Sequence, residues 1–212
     1  MTAPGHTQPV ALAGHFEALF REDPDPWGYR TRWYERRKRA QILASLPCEF
    51  YARAFEPACA NGELSADLAT RCYSLLCSDV SPAAADHARQ RLACLPHVDV
   101  QTGAIPGRWP EGRFDLIVLS EIGYYLDDDA FDNTLERTVT SLEADGTVLA
   151  SHWRHPEGDY FRNGDDVHRR MAAVFQERFG WTQLLRHEED DFLVEVWSPD
   201  GRSVARREGL RP

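Results

Sequence analysis

Residues 53–63, Arg53-Ala54-Phe55-Glu56-Pro57-Ala58-Cys59-Ala60-Asn61-Gly62-Glu63, decide the fold. A short apolar lead (Tyr51, Ala54, Phe55) predicts a buried strand ending in an acid, Glu56. Small residues follow, and Leu64 to Ala69 has helical spacing. Open α/β sheets bind nucleotide-like ligands at such strand–turn–helix junctions, beyond the carboxyl ends of their strands. Small residues let backbone N–H groups approach a ligand, and the helix N-terminus adds partial positive charge. Taken alone the turn serves packing as readily as binding, because most of the glycines such turns carry are missing.

A second acid narrows the reading. Leu75-Leu76-Cys77-Ser78-Asp79-Val80 is another apolar run ending in an acid, 23 residues beyond Glu56. An acid at the tip of the second strand accepts hydrogen bonds from ribose hydroxyls. Asp79 is therefore the principal cofactor candidate.

Outward from this pair the chain continues as alternating elements. Ser81 and Pro82 open a helix running to Leu95. Val98 to Thr102 alternates as a third strand, and Gly103-Ala104-Ile105 begins the loop after it, a wall for a flat base. Phe114 to Leu119 has the near-continuous apolar pattern of a central parallel strand, and leads into Ser120-Glu121-Ile122-Gly123-Tyr124-Tyr125-Leu126. Helices are expected over 128–142 and 167–179, and a fifth strand over 147–151 that exits into His152-Trp153-Arg154-His155. A terminal antiparallel pair, 181–186 and 192–197, completes the pattern. The fold class is α/β and Rossmann-like: a seven-stranded, mostly parallel sheet with one antiparallel strand and helices on both faces.

Upstream, residues 1–14 are small and polar and read as disordered, 15–47 as a helical lid, 15–198 as one domain, and 199–212 as a loose tail. Trp27, Tyr29, Trp33 and Tyr34 place four large aromatics within eight residues. They pack the 34–46 helix onto the sheet or wall a pocket, and for Trp33 both readings stand. The basic residues between Arg30 and Arg39 read as a solvated helix face.

Composition excludes several classes. The chain has 212 residues, 42% apolar and 27% charged, enough for one globular core. A net charge of -10 argues against a phosphate-backbone partner. No stretch approaches the roughly 20 apolar residues of a membrane span, and the N-terminus lacks a signal peptide's apolar run. A soluble, cytoplasmic protein is expected. Five cysteines with no Cys-x-x-Cys pair fit a reducing compartment. Cys59 has no neighbouring His and reads as a small turn residue, not a nucleophile.

The turn, the strand-tip acid and the fourth-strand segment together resemble class I S-adenosylmethionine-dependent methyltransferases. The words Asp25-Pro26-Trp27-Gly28-Tyr29-Arg30, Trp33 to Lys38, Phe55-Glu56-Pro57, Leu119 to Leu126, and His152-Trp153-Arg154-His155 followed by Gly164 to His168 look like the nodulation protein S family, over about residues 15–197. The resemblance implies methyl transfer from S-adenosylmethionine, leaving S-adenosylhomocysteine, and an acceptor amine on a glucosamine unit of a chitooligosaccharide. It implies that Glu56, Ala58, Cys59, Ala60 and Gly62 hold the methionine end. Asp79 with Val80 would take the ribose, Gly103, Ala104 and Ile105 would line the adenine, and Trp33 and Ser120 complete the cofactor set. The family's Gly-x-Gly-x-Gly stands here as Ala58-Cys59-Ala60-Asn61-Gly62, and an alanine is strained wherever φ must be positive.

Methyl transfer from a sulfonium is an in-line displacement, so alignment supplies much of the acceleration, and an amine nucleophile must be unprotonated. Glu121, Tyr124, His152 and His155, at the ends of the fourth and fifth strands, are the catalytic candidates; Trp27, Tyr29, Tyr125 and Trp153 are the acceptor candidates. Plainer roles stand beside these: Glu121 pairing with an Arg, His152 as a core histidine, Tyr125 as core, His168 as exposed. Asp127, Asp128 and Asp129 complement a helix dipole. A metal held by His152, His155, Asp159, Asp165 and His168 is disfavoured by irregular spacing, and no metal is expected. O-methylation, methylation of a small amine, and a non-catalytic relative that has lost the cofactor are the alternatives; no membrane partner is expected.

Overall fold

The computed structural model describes residues 9–155 and 160–211. Seven strands form one sheet in the order β3-β2-β1-β4-β5-β7-β6. They are β1 Ala54–Pro57, β2 Leu75–Asp79, β3 Val98–Thr102, β4 Phe114–Ser120, β5 Leu142–Trp153, β6 Thr182–Glu188 and β7 Phe192–Ser198. Strands β1 to β5 pair in parallel, and β7 alone runs against its neighbours, β5 and β6. The expected sheet is the observed one, seven strands with a single antiparallel member.

Helices α1 Pro9–Glu22, α2 Trp33–Ser45, α3 Glu63–Ala69, α4 Pro82–Arg91, α5 Asp128–Ser141, α6 Gly164–Ala172 and α7 Val204–Arg207 surround it. A π-helical turn, Ala173–Arg178, continues α6. Burial on both faces explains the unbroken apolar run of β4: Leu116 and Val118 join one core cluster, and Phe114, Ile117 and Leu119 the other. Local chemistry sets the helix starts. Ser81 Oγ accepts from Ala84 N at 3.1 Å with Pro82 at the first position, and Asp127 Oδ1 accepts from Ala130 N at 2.8 Å.

Some boundaries differ from expectation. Strand β5 starts at Leu142, where the sequence predicts helix, and a register shift beside Phe114 and Leu116 accommodates the extra length. Residues 1–8 of the segment expected to be disordered lie outside the described residues, whereas 9–14 begin α1. The C-terminal segment carries α7, and Arg207 bonds Ser198 Oγ at 3.4 Å and the Asp200 carbonyl at 3.3 Å. Among the described residues no helix is long and apolar enough to cross a membrane.

The N-terminal elements lie over the carboxyl ends of the strands. Glu17 Oε2 accepts from Ser81 Oγ (2.8 Å) and Ala83 N (3.0 Å) at the start of α4. Asn61 Nδ2 donates to the Pro24 carbonyl and to Asp25 Oδ1, both at 3.0 Å. The basic stretch is a solvated face only in part: Arg30, Arg32 and Arg36 are exposed, whereas Lys38 is buried. Arg30 pairs with Glu63 (2.8 Å), Arg37 with Glu189 (2.6 Å), Lys38 with Glu121 (2.8 Å) and Arg39 with Asp67 (2.9 Å).

Candidate active site

The turn after β1 is bent three times into left-handed backbone, at Ala58 (φ +58°), Ala60 (φ +50°) and Gly62 (φ +80°). Only Gly62 adopts this without strain; an L-residue there costs roughly 1–2 kcal/mol. Neighbouring groups fix the bends. Cys59 N donates to the Ser78 carbonyl (3.0 Å), and Gly62 N to the Cys59 carbonyl (2.9 Å). Asp79 supplies the main clamp, Oδ2 accepting from Ala60 N and Oδ1 from Ser81 N, each at 2.9 Å. Gly62 also permits close packing, since a Cβ there would stand 3.1 Å from the Ala88 Cα.

Two cavities open beside this turn. The smaller, about 50 Å³, is bounded by Glu56, Cys59, Ser120, Ala58 and Ala60. The larger, about 600 Å³, runs past Ala58, Ala60, Asp79 and Val80 to an aromatic wall that includes Trp27, Tyr29, Tyr125 and Trp153. Glu121 and Lys38 border both. Burial pushes the Glu56 carboxyl up to about 7, although Cys77 Sγ lies at hydrogen-bond distance, 3.6 Å. Burial likewise raises Asp79 to about 6, against the lowering effect of the amides of Ser81 and Ala60.

Glu121 directly follows β4 and itself has φ +54°. Backbone outliers of this kind concentrate at functional sites. Its carboxylate accepts from Lys38 Nζ (2.8 Å), from Trp153 N (3.1 Å) and from the Tyr124 hydroxyl. Lys38 is only 5% exposed and also faces Glu35 at 3.5 Å. Burial works against its charge, but Glu121 and Glu35 outweigh it, and its pKa is raised. Burial raises the Tyr124 hydroxyl well above its ordinary value, with Glu121 adding to the effect, and does the same for Tyr29. Phe16 on α1 packs edge-on against Tyr125 at 4.9 Å and closes the aromatic wall.

Most of the expected site residues thus converge: Glu56, Ala58, Cys59, Ala60, Asp79, Val80, Ser120, Glu121, Tyr124 and the four aromatics all border one or both cavities. Gly62 shapes the turn from behind. His155 stands at the rim, exposed, its Nε2 2.7 Å from the Asp190 carbonyl. Four expected placements differ in the structure. Trp33 is 68% exposed and lines neither cavity, because the first turn of α2 points it outward beneath Arg36. His152 is fully buried on the far side of the post-β4 loop, where Gly123 N donates to its Nε2 at 3.1 Å. Gly103, Ala104 and Ile105 lie beside Asp79, whose carbonyl accepts from Gly103 N at 2.8 Å, yet they border neither cavity. His168, expected to be exposed, is buried against His152.

Sequence reasoning missed Lys38, Glu35, Arg32, Phe16 and Tyr160, all on the larger cavity. For Lys38 a signal existed: Tyr34, Lys38 and Ile42 recur at four and share one stripe of α2. Among the described residues the metal-ligand candidates do not assemble. His152 and His168 pair in the interior, Asp165 pairs with Arg154 at 3.1 Å, and Asp159 is outside the described residues.

Comparison with known proteins places the chain among relatives. The family model for Nodulation protein S (NodS) matches residues 17–156. Nodulation protein S of Bradyrhizobium diazoefficiens is 29% identical over 87% of this chain and 91% of its own length. Nodulation protein S of Rhizobium tropici is 37% identical over 50% of this chain, a match spanning 45% of that relative. A crystal structure of a Pseudomonas syringae protein, described as a candidate methyltransferase, is 49% identical, with TM-score 0.68, covering 79% of this chain and 99% of that one. The N-methyltransferase NodS of Bradyrhizobium japonicum WM9, crystallised with S-adenosylhomocysteine, superposes with TM-score 0.73 at 24% identity, covering 87% of this chain and 96% of that one.

Proposed function

The chain belongs to the nodulation protein S family, is an S-adenosylmethionine-dependent methyltransferase, and from that premise we propose that it methylates an amine nitrogen on a glucosamine-type sugar or related small molecule. The observation that carries this reading is the position of Glu121: one carboxylate, fixed by three donors, bordering both the pocket at the cofactor turn and the aromatic cavity. In this reading Glu56 and the 58–62 turn hold the methionine end, Ser120 borders it, and Asp79 with Val80 meets the ribose. S-adenosylmethionine supplies an electrophilic methyl group on a sulfonium.

The chain's own residues then align the acceptor. Glu121 and Glu35 attract a cationic amine, and Lys38 keeps the two carboxylates from repelling each other. The Glu121 carboxylate takes up the proton the amine must lose before its lone pair attacks the methyl group. Tyr124 fixes the Glu121 carboxylate, while Trp27, Tyr29, Tyr125 and Trp153 offer apolar faces for a sugar ring or amine and exclude water. His155 stands where an acceptor enters. Residues 15–47 act as the lid, with Glu17 and Asn61 as fastenings. A soluble methyl donor and a soluble acceptor favour the cytoplasm as its location.

The test is incubation with S-adenosylmethionine and partly deacetylated chitooligosaccharides, read by mass spectrometry. One added methyl on a free amine is the expected product. Methylation of only a hydroxyl acceptor in a wider panel would overturn the amine assignment.

A further inference from the structure

A chain of buried polar groups runs behind the site and takes no part in the proposed transfer. Gly123 N donates to His152 Nε2 at 3.1 Å. His152 Nδ1 lies 3.2 Å from His168 Nε2, and His168 Nδ1 lies 2.7 Å from Glu195 Oε2. The other Glu195 oxygen, Oε1, accepts from Arg186 Nη1, which reaches in from the edge strand β6. His152, His168 and Glu195 are essentially inaccessible to solvent.

Only one proton arrangement satisfies every link. An amide N–H can only donate, so His152 Nε2 must be bare and its proton must sit on Nδ1. That proton meets His168 Nε2, which must also be bare. The His168 proton therefore sits on Nδ1 and goes to the carboxylate. Burial keeps His152 neutral, holding its pKa well below the usual histidine range. The far end of the chain is a carboxylate and a guanidinium; the near end is the backbone of the loop that carries Glu121 and Tyr124. Arg162 Nη1 holds the same loop from its other side by donating to the Gly123 carbonyl at 2.8 Å. Only glycine fits at 123 without a shift of its neighbours, because a Cβ would sit 2.5 Å from Val167 Cγ1 and 3.2 Å from His152 Nε2.

We propose that His152, His168 and Glu195 are positioning residues of the methyltransferase: a one-way hydrogen-bond relay whose polarity, set by the donor-only Gly123 amide at one end and the acceptor-only Glu195 carboxylate at the other, fixes the Glu121–Tyr124 loop against the acceptor. The proposal's activity arm rests on the amine-methylation reading; its spectroscopic arm needs no acceptor.

The isosteric change Glu195→Gln tests polarity without changing shape. Arg186 only donates, so the Gln carbonyl must face Arg186 and its NH2 must face His168. His168 then accepts at Nδ1 and donates from Nε2, His152 is reversed in turn, and its Nε2–H confronts the Gly123 N–H. Removing the surface guanidinium as well, in Arg186→Leu/Glu195→Gln, frees the amide to turn over and restores the original direction. The experiment is 15N NMR of the S-adenosylhomocysteine-bound protein, reading the histidine tautomers and the Gly123 amide, together with turnover. Both rings are expected as Nδ1–H tautomers in the wild type and as Nε2–H in Glu195→Gln, with a shifted Gly123 amide. S-adenosylhomocysteine affinity should be unchanged and kcat about tenfold lower, and the double variant should recover both the tautomers and the rate. Nε2–H tautomers in the wild type, or reversed tautomers with unchanged kcat, would overturn the proposal. If Glu195→Gln fails to fold, the wild-type tautomers still decide the relay's direction. If no acceptor amine is methylated at all, the reading of function fails, while the tautomers continue to support or overturn the relay independently.

Discussion

Restoring glycine to the cofactor turn should stabilise the protein. Ala58 and Ala60 hold φ values of +58° and +50°, where an L-residue costs roughly 1–2 kcal/mol relative to glycine. Glycine carries its own penalty, about 0.5–1 kcal/mol of extra unfolded-state entropy. Both residues border the cavities and are only half-buried, so losing a Cβ removes little packing. The net gain is about 0.5–1 kcal/mol per site, and about 1–2 kcal/mol for Ala58→Gly/Ala60→Gly. For a chain of this length each kcal/mol raises Tm by about 2–4 °C, so the double variant should melt about 2–8 °C higher. Differential scanning calorimetry of the cofactor-free protein reads this directly. Gly62→Ala is the opposing control: it adds strain at φ +80° and a Cβ 3.1 Å from Ala88, so it should melt lower. A lower Tm for both single alanine-to-glycine variants would refute the strain argument.

Three further outcomes follow from the site. Glu121→Gln should lower turnover at least about tenfold while affinity for S-adenosylhomocysteine stays near that of the wild type, measured by calorimetry beside initial rates. Lys38→Met leaves Glu121 and Glu35 facing each other in the interior, and should cost about 3 kcal/mol of stability, read by urea denaturation. The third is a pH effect at Glu56. With its folded pKa raised to about 7, the native state binds this proton more readily than the unfolded state does, so Glu56 costs increasing stability as pH rises from the ordinary carboxylate range to about 7. Cofactor-free Glu56→Gln should therefore gain stability over the wild type between pH 5 and pH 8; a constant difference would contradict the raised pKa.

Much of this was legible in the sequence because parallel strands announce themselves as apolar runs and their tips carry the chemistry. Glu56, Asp79 and Glu121 lie in the last residues of such a run or directly after it, and all three border the cavities. The strain at Ala58 and Ala60 could only be posed as a condition, since side-chain identity does not fix the sign of φ. Trp33 misled because aromatic clustering does not say which side of a helix faces inward; its neighbour Tyr34 packs on Trp153 at 5.6 Å instead. Lys38 and Glu195 escaped because charged residues read as surface until their partners, 83 residues away for Lys38 and on the adjoining edge strand for Glu195, are brought to them. His152 followed the correct strand too closely: the strand end was found, but alternation of side chains across β5 sends it to the core behind the loop.

The most direct test of the central claim is calorimetric titration of the purified protein with S-adenosylhomocysteine, beside Asp79→Ala. The account predicts saturable, one-site binding to the wild type, weakened by about tenfold or more in Asp79→Ala through loss of the ribose contact and of the clamp on Ala60 N. Folded wild-type protein that binds no S-adenosylhomocysteine, or a folded Asp79→Ala that binds it equally well, would contradict it.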